Sequence, residues 1–223
     1  MRTIGVLGGM TWHSSIEYYR LINTLANERL GGIHAARCVL FSVDMGAIDE
    51  LMVAGRWDEA GTALARDARS VEDAGADVFI LGCNTLHNVW DAIVEPLTIP
   101  TIHIGDATAA ALDGHRRVGL LGTRTTMERP FLRERIEARG IEVVVPDEPD
   151  RVKLDRTVFD EFSRGLFSDE TREYYVDVIG RLDADAIVMG CTEIGLLLRP
   201  GDVAVPLVDT ARAHATAAVD YAS

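Results

Sequence analysis

The chain has 223 residues, 48% of them hydrophobic, enough for a sizeable core in one large domain or two of about half that length. Thirty-five acidic residues against 22 basic ones leave a formal charge of −13 with no basic stretch to offset it, which argues against a polynucleotide or an anionic membrane as partner. No run of about 18 apolar residues occurs, and the chain enters a strand pattern at Ile4 with no basic region and long apolar segment ahead of it, so a soluble, cytoplasmic protein is expected.

The first predicted element is the apolar run Ile4-Gly5-Val6-Leu7-Gly8, stopped by Gly9 and read as a buried parallel strand. Ser14 or Ser15 can cap the helix that follows. Ile16, Tyr19, Ile22, Ala26 and Leu30 recur at helical spacing and are expected to form its sheet-facing stripe, with Gly31-Gly32 as the stop. Cys38 to Val43 reads as a second strand, and Trp57, Ala60, Leu64, Ala68 and Val71 as the inner face of the next helix. Asp77 to Gly82 is a third strand, a short helix covers 86–94, and Ile99 to Ile104 is a fourth strand.

From Val118 the programme restarts. Val118-Gly119-Leu120-Leu121-Gly122-Thr123 matches the first strand and its turn, a helix is expected over 127–139, and Ile141 to Val145 is the next strand. The segment from Pro146 to Gly165 is extra in this half, with Asp147 to Asp150 as a loop and Val158, Phe159, Phe162 and Leu166 as a helix face. A helix over 170–182 carries Tyr174, Tyr175, Val178, Ile179 and Leu182 inward. A strand ending in Gly190 follows, then Pro206 to Asp209 and an Ala-rich terminal helix. Strand and helix alternate throughout, which is the pattern of an α/β protein with mainly parallel sheets, here duplicated.

The duplication is clearest at Ala76-Asp77-Val78-Phe79-Ile80-Leu81-Gly82-Cys83 and Ala184-Asp185-Ala186-Ile187-Val188-Met189-Gly190-Cys191. In parallel α/β sheets ligands sit beyond the carboxyl ends of the strands, and both cysteines fall there. If the halves face each other, two thiols approach one ligand from opposite sides. That is the requirement for racemisation: one group takes the α-proton and the other returns a proton to the opposite face. Each thiol also precedes a predicted helix, whose positive end favours thiolate, and Asn84, Thr85 and Thr192 supply donors suited to an α-carboxylate.

Three cysteines, an odd number, argue for reduced thiols over a disulfide framework. Cys38 lies inside an apolar strand and is read as structural. Cys83, His87 and Cys191 are the weighed metal alternative, disfavoured because no Cys-x-x-Cys or His-x-x-x-His pair accompanies them. His87 is otherwise a capping or packing residue, and His13, His34, His103, His115 and His214 carry no spacing signal. The glycines at 5, 8 and 9 lack the dinucleotide spacing. Lys153 is the sole lysine, and its neighbours read as an exposed turn unsuited to a pyridoxal phosphate aldimine. No cofactor and no metal are expected. Glu193 and Asp209 are read either as carboxylates supporting Cys191 or as helix caps.

The set Gly8-Gly9-Met10-Thr11-Trp12, Tyr18-Tyr19-Arg20, Cys83-Asn84-Thr85-Leu86-His87, Gly122-Thr123-Arg124-Thr125-Thr126-Met127 and Gly190-Cys191-Thr192-Glu193-Ile194 resembles the aspartate/glutamate racemase superfamily, in particular its aspartate racemase branch. The resemblance implies two pseudo-symmetric α/β domains, residues 1–104 plus 206–223 and residues 105–205, with the active site in the cleft between them. It implies a cofactor-independent two-base mechanism in which Cys83 serves the D-enantiomer and Cys191 the L-enantiomer. It further implies that Met10, Asn84, Thr85, Thr123, Arg124, Thr125, Thr126 and Thr192 bind the substrate, that Lys153 meets its side-chain carboxylate, and that the protein is a homodimer. Relatives selective for aspartate often carry a basic residue just beyond the second strand, where Asp44 to Ile48 has none. Glutamate or a broader range of amino acids therefore stays open, as does a non-catalytic amino-acid binding protein that retains the cleft.

Overall fold

The structure, a computed structural model, describes residues 1–199 and 201–223. The chain divides into two compact units, Met1–His103 with His214–Ser223, and Ile104–Ala213. Among the described residues no helix is long and apolar enough to cross a membrane.

In the first unit, β1 (Ile4–Gly8) lies between β2 (Cys38–Ser42) and β3 (Val78–Leu81), with β4 (Thr101–Ile102) beyond β3, all parallel. Parallel neighbours need crossovers, which are supplied by α1 (Trp12–Leu30), by α2 (Met45–Val53) with α3 (Trp57–Asp73), and by a 3-10 turn (Thr85–Val89) running into α4 (Trp90–Val94). β1 and β3 are buried along their whole length, as expected of strands covered on both faces. The expected face of α3 is the observed one: Ala60, Leu64, Ala68 and Val71 are fully buried. Burying each larger apolar side chain of that kind contributes about 1.5–3 kcal/mol.

Helix α1 differs from expectation. Its cap is Thr11, whose hydroxyl accepts from the Ser14 N–H, and its buried stripe is Tyr18, Leu21, Ile22, Leu25 and Ala26. Ile16 and Tyr19, expected inside, are exposed, as is Leu30. The helix carries two apolar stripes, and spacing alone does not say which one meets the sheet; Tyr18, whose hydroxyl bonds His214, belongs to the inner one. Helix α2 was not anticipated. Asp44 caps it by accepting the Gly46 N–H at 3.0 Å. The fourth strand is also shorter than expected, because Ile104 already belongs to α5 (Ile104–Ala111).

The second unit repeats the strand order: β5 (Arg117–Gly122) lies between β6 (Glu142–Val144) and β7 (Ala186–Gly190), with β8 (Leu207–Asp209) beyond β7. The single helix expected over 127–139 is two, α6 (Arg124–Glu128) and α7 (Pro130–Glu137), because Pro130 cannot continue a helix but starts one well. The extra segment forms α8 (Glu148–Asp160), capped by Asp147, so Lys153 and its neighbours are helical and not a turn. This cap sets the register: Leu154, Val158 and Phe162 are buried, whereas Phe159 and Leu166, expected inward, are exposed. Helix α9 (Asp169–Arg181) buries Tyr175, Val178 and Ile179, and α10 (Ile194–Leu197) follows β7.

The terminal segment divides. β8 pairs with β7 in the second sheet, and α11 (Thr210–Ala222) begins in the second unit and ends in the first.

Candidate active site

Each half of the chain presents a thiol at the carboxyl end of its third strand. In the first unit, β1 and β3 are hydrogen-bonded neighbours with Leu7 opposite Leu81, so the loops that leave them, Gly9 to Thr11 and Cys83 to Thr85, emerge side by side. The first loop is held from within: the Ser15 hydroxyl accepts the Gly9 N–H at 2.6 Å and donates to the Thr11 carbonyl at 3.1 Å. Gly9 has a positive φ of 99°, and a Cβ there would fall on the Val43 backbone, so only glycine fits. Met10 is buried at this turn.

Cys83 is half-buried, Asn84 is buried and Thr85 is half-buried. The Cys83 N–H donates to the Leu81 carbonyl at 2.9 Å, and the Cys83 carbonyl is bonded by the His87 ring at 2.7 Å through Nδ1. His87 therefore serves the backbone of the cysteine. It stacks on Trp90 at 4.8 Å and meets the edge of His103 at 4.6 Å and of His214 at 5.8 Å. Burial, then the neighbouring His103 and His214, holds its pKa well below the usual histidine range.

His214 bonds the Ile102 carbonyl through Nε2 at 2.8 Å and the Tyr18 hydroxyl through Nδ1 at 3.0 Å. A carbonyl only accepts, so Nε2 carries the proton. Burial lowers the pKa of His214 to about 4, so the ring is neutral and Nδ1 accepts from Tyr18. This histidine cluster has no counterpart in the expectations drawn from spacing. One signal could have found part of it: His87 and His103 each lie just beyond adjacent strands, β3 and β4.

In the second unit, β5 and β7 pair with Gly122 opposite Gly190. A Cβ on Gly190 would lie 2.7 Å from the Leu121 carbonyl oxygen and 2.9 Å from Thr126 Cγ2, which accounts for the glycine before Cys191. Cys191 is 8% exposed, and its thiol donates to Glu193 Oε2 at 3.1 Å. Thr192 and Glu193 are buried with it. Of the two carboxylates read as supports or caps, Glu193 takes the thiol, and Asp209 caps α11 by accepting the Ala211 N–H at 2.8 Å.

Beside β7, the loop after β5 is a built turn: the Thr123 hydroxyl accepts the Thr126 N–H at 3.2 Å and lies 3.1 Å from the Thr126 hydroxyl. Thr123 and Thr126 are buried and Thr125 is half-buried. The Arg124 side chain points elsewhere. It is exposed and pairs with Glu128 at 2.9 Å and Glu148 at 3.9 Å, while its backbone N–H donates to Asp155.

Lys153 lies on α8 with Nζ 3.6 Å from the centre of the Tyr174 ring. Both line a cavity of about 500 Å³ that also meets Glu161, Phe167, Glu170 and Thr171. Their sequence neighbours Leu154 and Tyr175 turn into the apolar cluster that contains Cys191. Cys38 is on the edge strand β2, where burial pushes its thiol pKa up. Among the described residues no three His, Cys, Asp or Glu side chains are gathered so as to hold a metal ion.

Comparison with known proteins matches residues 7–218 to a family described as Asp/Glu/Hydantoin racemase. The fold superimposes on a provisionally assigned Asp/Glu racemase from Yersinia pestis with a TM-score of 0.90, at 43% identity over 100% of this chain and 99% of that one. It superimposes on an aspartate racemase homologue from Pyrococcus horikoshii OT3 with a TM-score of 0.85, at 29% identity and the same coverage. The broad specificity amino-acid racemase RacX of Bacillus subtilis (strain 168) is 23% identical over 181 residues, 73% of this chain and 72% of that protein. The chain spans about half the length of several curated glutamate racemases it matches.

Proposed function

Because the chain belongs to the Asp/Glu/hydantoin racemase family, we propose that it interconverts the enantiomers of an amino acid, aspartate foremost, with Cys83 and Cys191 as its two acid/base groups and without an organic cofactor. The observation that carries this reading is the repeated placement of a thiol at the end of β3 and of β7, in two sheets with the same strand order. Cys191 Sγ lies 3.1 Å from Glu193 Oε2, a carboxylate oxygen placed to accept from its thiol.

For one enantiomer, the Cys83 thiolate takes the α-proton and becomes a thiol. The electron pair left on Cα spreads into the carboxylate, and the Cys191 thiol then protonates the opposite face and becomes a thiolate. The reverse direction exchanges the two roles, with Cys83 deprotonating the D-enantiomer and Cys191 the L-enantiomer. Donors from Asn84, Thr85, Thr192 and the turn from Thr123 to Thr126 suit the carboxylate on which charge develops, which is where preorganised hydrogen bonds lower a barrier most. Met10, buried at the turn after β1, is a further substrate-binding residue in this reading.

A broader substrate range is the second reading, favoured by a specific observation. The Arg124 guanidinium is paired with Glu128, no basic residue opens α2, and Lys153 shares its cavity with Glu161 and Glu170. Lys153 is then the remaining candidate cation for a second carboxylate, and the lining of its cavity includes neither Cys83 nor Cys191. The test is a racemisation panel over all amino acids, followed by chiral chromatography with no cofactor added. Turnover led by aspartate supports the first reading, and comparable rates on neutral amino acids support the second. Carboxylate binding by calorimetry without turnover of any amino acid would sink both and leave a binding protein.

A further inference from the structure

His87 shares a tight turn with Cys83, yet the proton transfers proposed above give it no part. The turn is a 3-10 helix, so the His87 backbone N–H goes to the Asn84 carbonyl at 3.0 Å, three residues back. In an α-helix that N–H would have gone to the Cys83 carbonyl, four residues back. The tight winding withdraws that donor, and the His87 ring replaces it from the same residue, bonding the Cys83 carbonyl at 2.7 Å through Nδ1. Since a carbonyl only accepts, Nδ1 carries the ring proton.

We infer that His87 is a positioning residue: the Nδ1–H it donates to the Cys83 carbonyl fixes the backbone from which the Cys83 thiol projects. With the Cys83 N–H on Leu81 and its carbonyl on His87, both backbone polar groups of the cysteine are held, and the direction of the thiol is left to a single side-chain torsion. The ring cannot rotate to release the bond, because Trp90 stacks on it with planes 9° apart and His103 stands against it at 69°. Burial keeps the ring neutral, so one proton is shared between its two nitrogens and the carbonyl claims it.

This inference rests on the assignment of Cys83 as one of the acid/base pair, and its test separates the two. Asparagine places an amide N–H where Nδ1 was, whereas glutamine places it where Nε2 was. His87→Asn is expected to keep kcat within about threefold. His87→Gln is expected to lower kcat about 10²-fold with KM little changed, because a misplaced reacting group costs that much even when binding survives. The alkylation rate of Cys83 by iodoacetamide, measured with Cys38 and Cys191 replaced by serine, should follow the same order. Equal losses in the Asn and Gln variants, or wild-type values in both, would overturn the inference. If no amino acid is racemised, the alkylation rates alone decide it. Should the variants not fold, long-range ¹H–¹⁵N spectra of the wild-type protein report the tautomer, and a proton on Nε2 of His87 would overturn it equally.

Discussion

Replacing Cys191 by serine is expected to abolish racemisation while leaving the protein folded. Serine keeps a hydrogen-bond donor facing Glu193, and the volume change is small for a residue only 8% exposed. What is lost is acidity: a hydroxyl gives up its proton far less readily than a thiol and cannot act as the base in the reverse direction. General acid–base groups contribute about 10²- to 10⁴-fold each, and a two-base scheme has no bypass for either member, so kcat should fall by at least about 10³-fold in Cys191→Ser and in Cys83→Ser alike. Melting temperature and far-UV circular dichroism, read beside chiral turnover, separate chemistry from folding. Activity within tenfold of wild type in either folded variant would reject the assignment.

The second large effect is on stability and follows from the buried histidines. The folded-state pKa of His214 is about 4 against 6.5 for an unperturbed histidine, with burial as the cause, and His87 is shifted the same way. Between these values the unfolded chain binds a proton that the folded chain refuses, so folding is weakened as pH falls through the window from about 6.5 to 4. At about 1.4 kcal/mol per pKa unit, His214 alone accounts for roughly 3 kcal/mol lost by pH 4, and His87 adds to it. Among the described residues, His214 bonds the Tyr18 hydroxyl on α1 and the Ile102 carbonyl of β4 and meets the His87 ring, and none of these three groups is an anion that would compensate an imidazolium. Denaturant titrations at several pH values should therefore show a steeper acid loss in wild type than in His214→Gln. Parallel slopes would refute the account.

How much of this was legible in the chain differs from element to element. The repeated apolar runs ending in Gly-Cys appear as β3 and β7 because a buried parallel strand has little freedom in composition. The inner face of α3 was equally plain, since it carries one apolar stripe. Helix α1 carries two, Trp12, Ile16 and Tyr19 on one side and Tyr18, Leu21, Ile22 and Leu25 on the other. Choosing between them needs the tertiary partner His214, which lies almost the whole chain away. Pro130 announced a helix boundary that periodicity across it concealed.

The site divides in the same way. The cysteines and the turns beside them are local motifs and were read from the residues that form them. The Cys191–Glu193 bond is local too, but sequence left Glu193 balanced between cap and partner, and only the direction of the side chain decides. The pairing of Arg124 with Glu128 and Glu148 is a competition among surface charges that no motif encodes. The histidine cluster joins residues after β3, after β4 and in α11, elements whose adjacency is a property of the fold.

The central claim, proton transfer by two separate thiols, is tested most directly by the fate of the α-hydrogen in D₂O. With L-aspartate as substrate and conversion kept to a few per cent, the account predicts D-aspartate carrying solvent deuterium at Cα from the first turnovers, while recovered L-aspartate stays unlabelled. Deuterium entering the recovered L-aspartate as fast as the product would indicate one base serving both faces, and D-aspartate retaining the original hydrogen would indicate internal transfer; either result would contradict it.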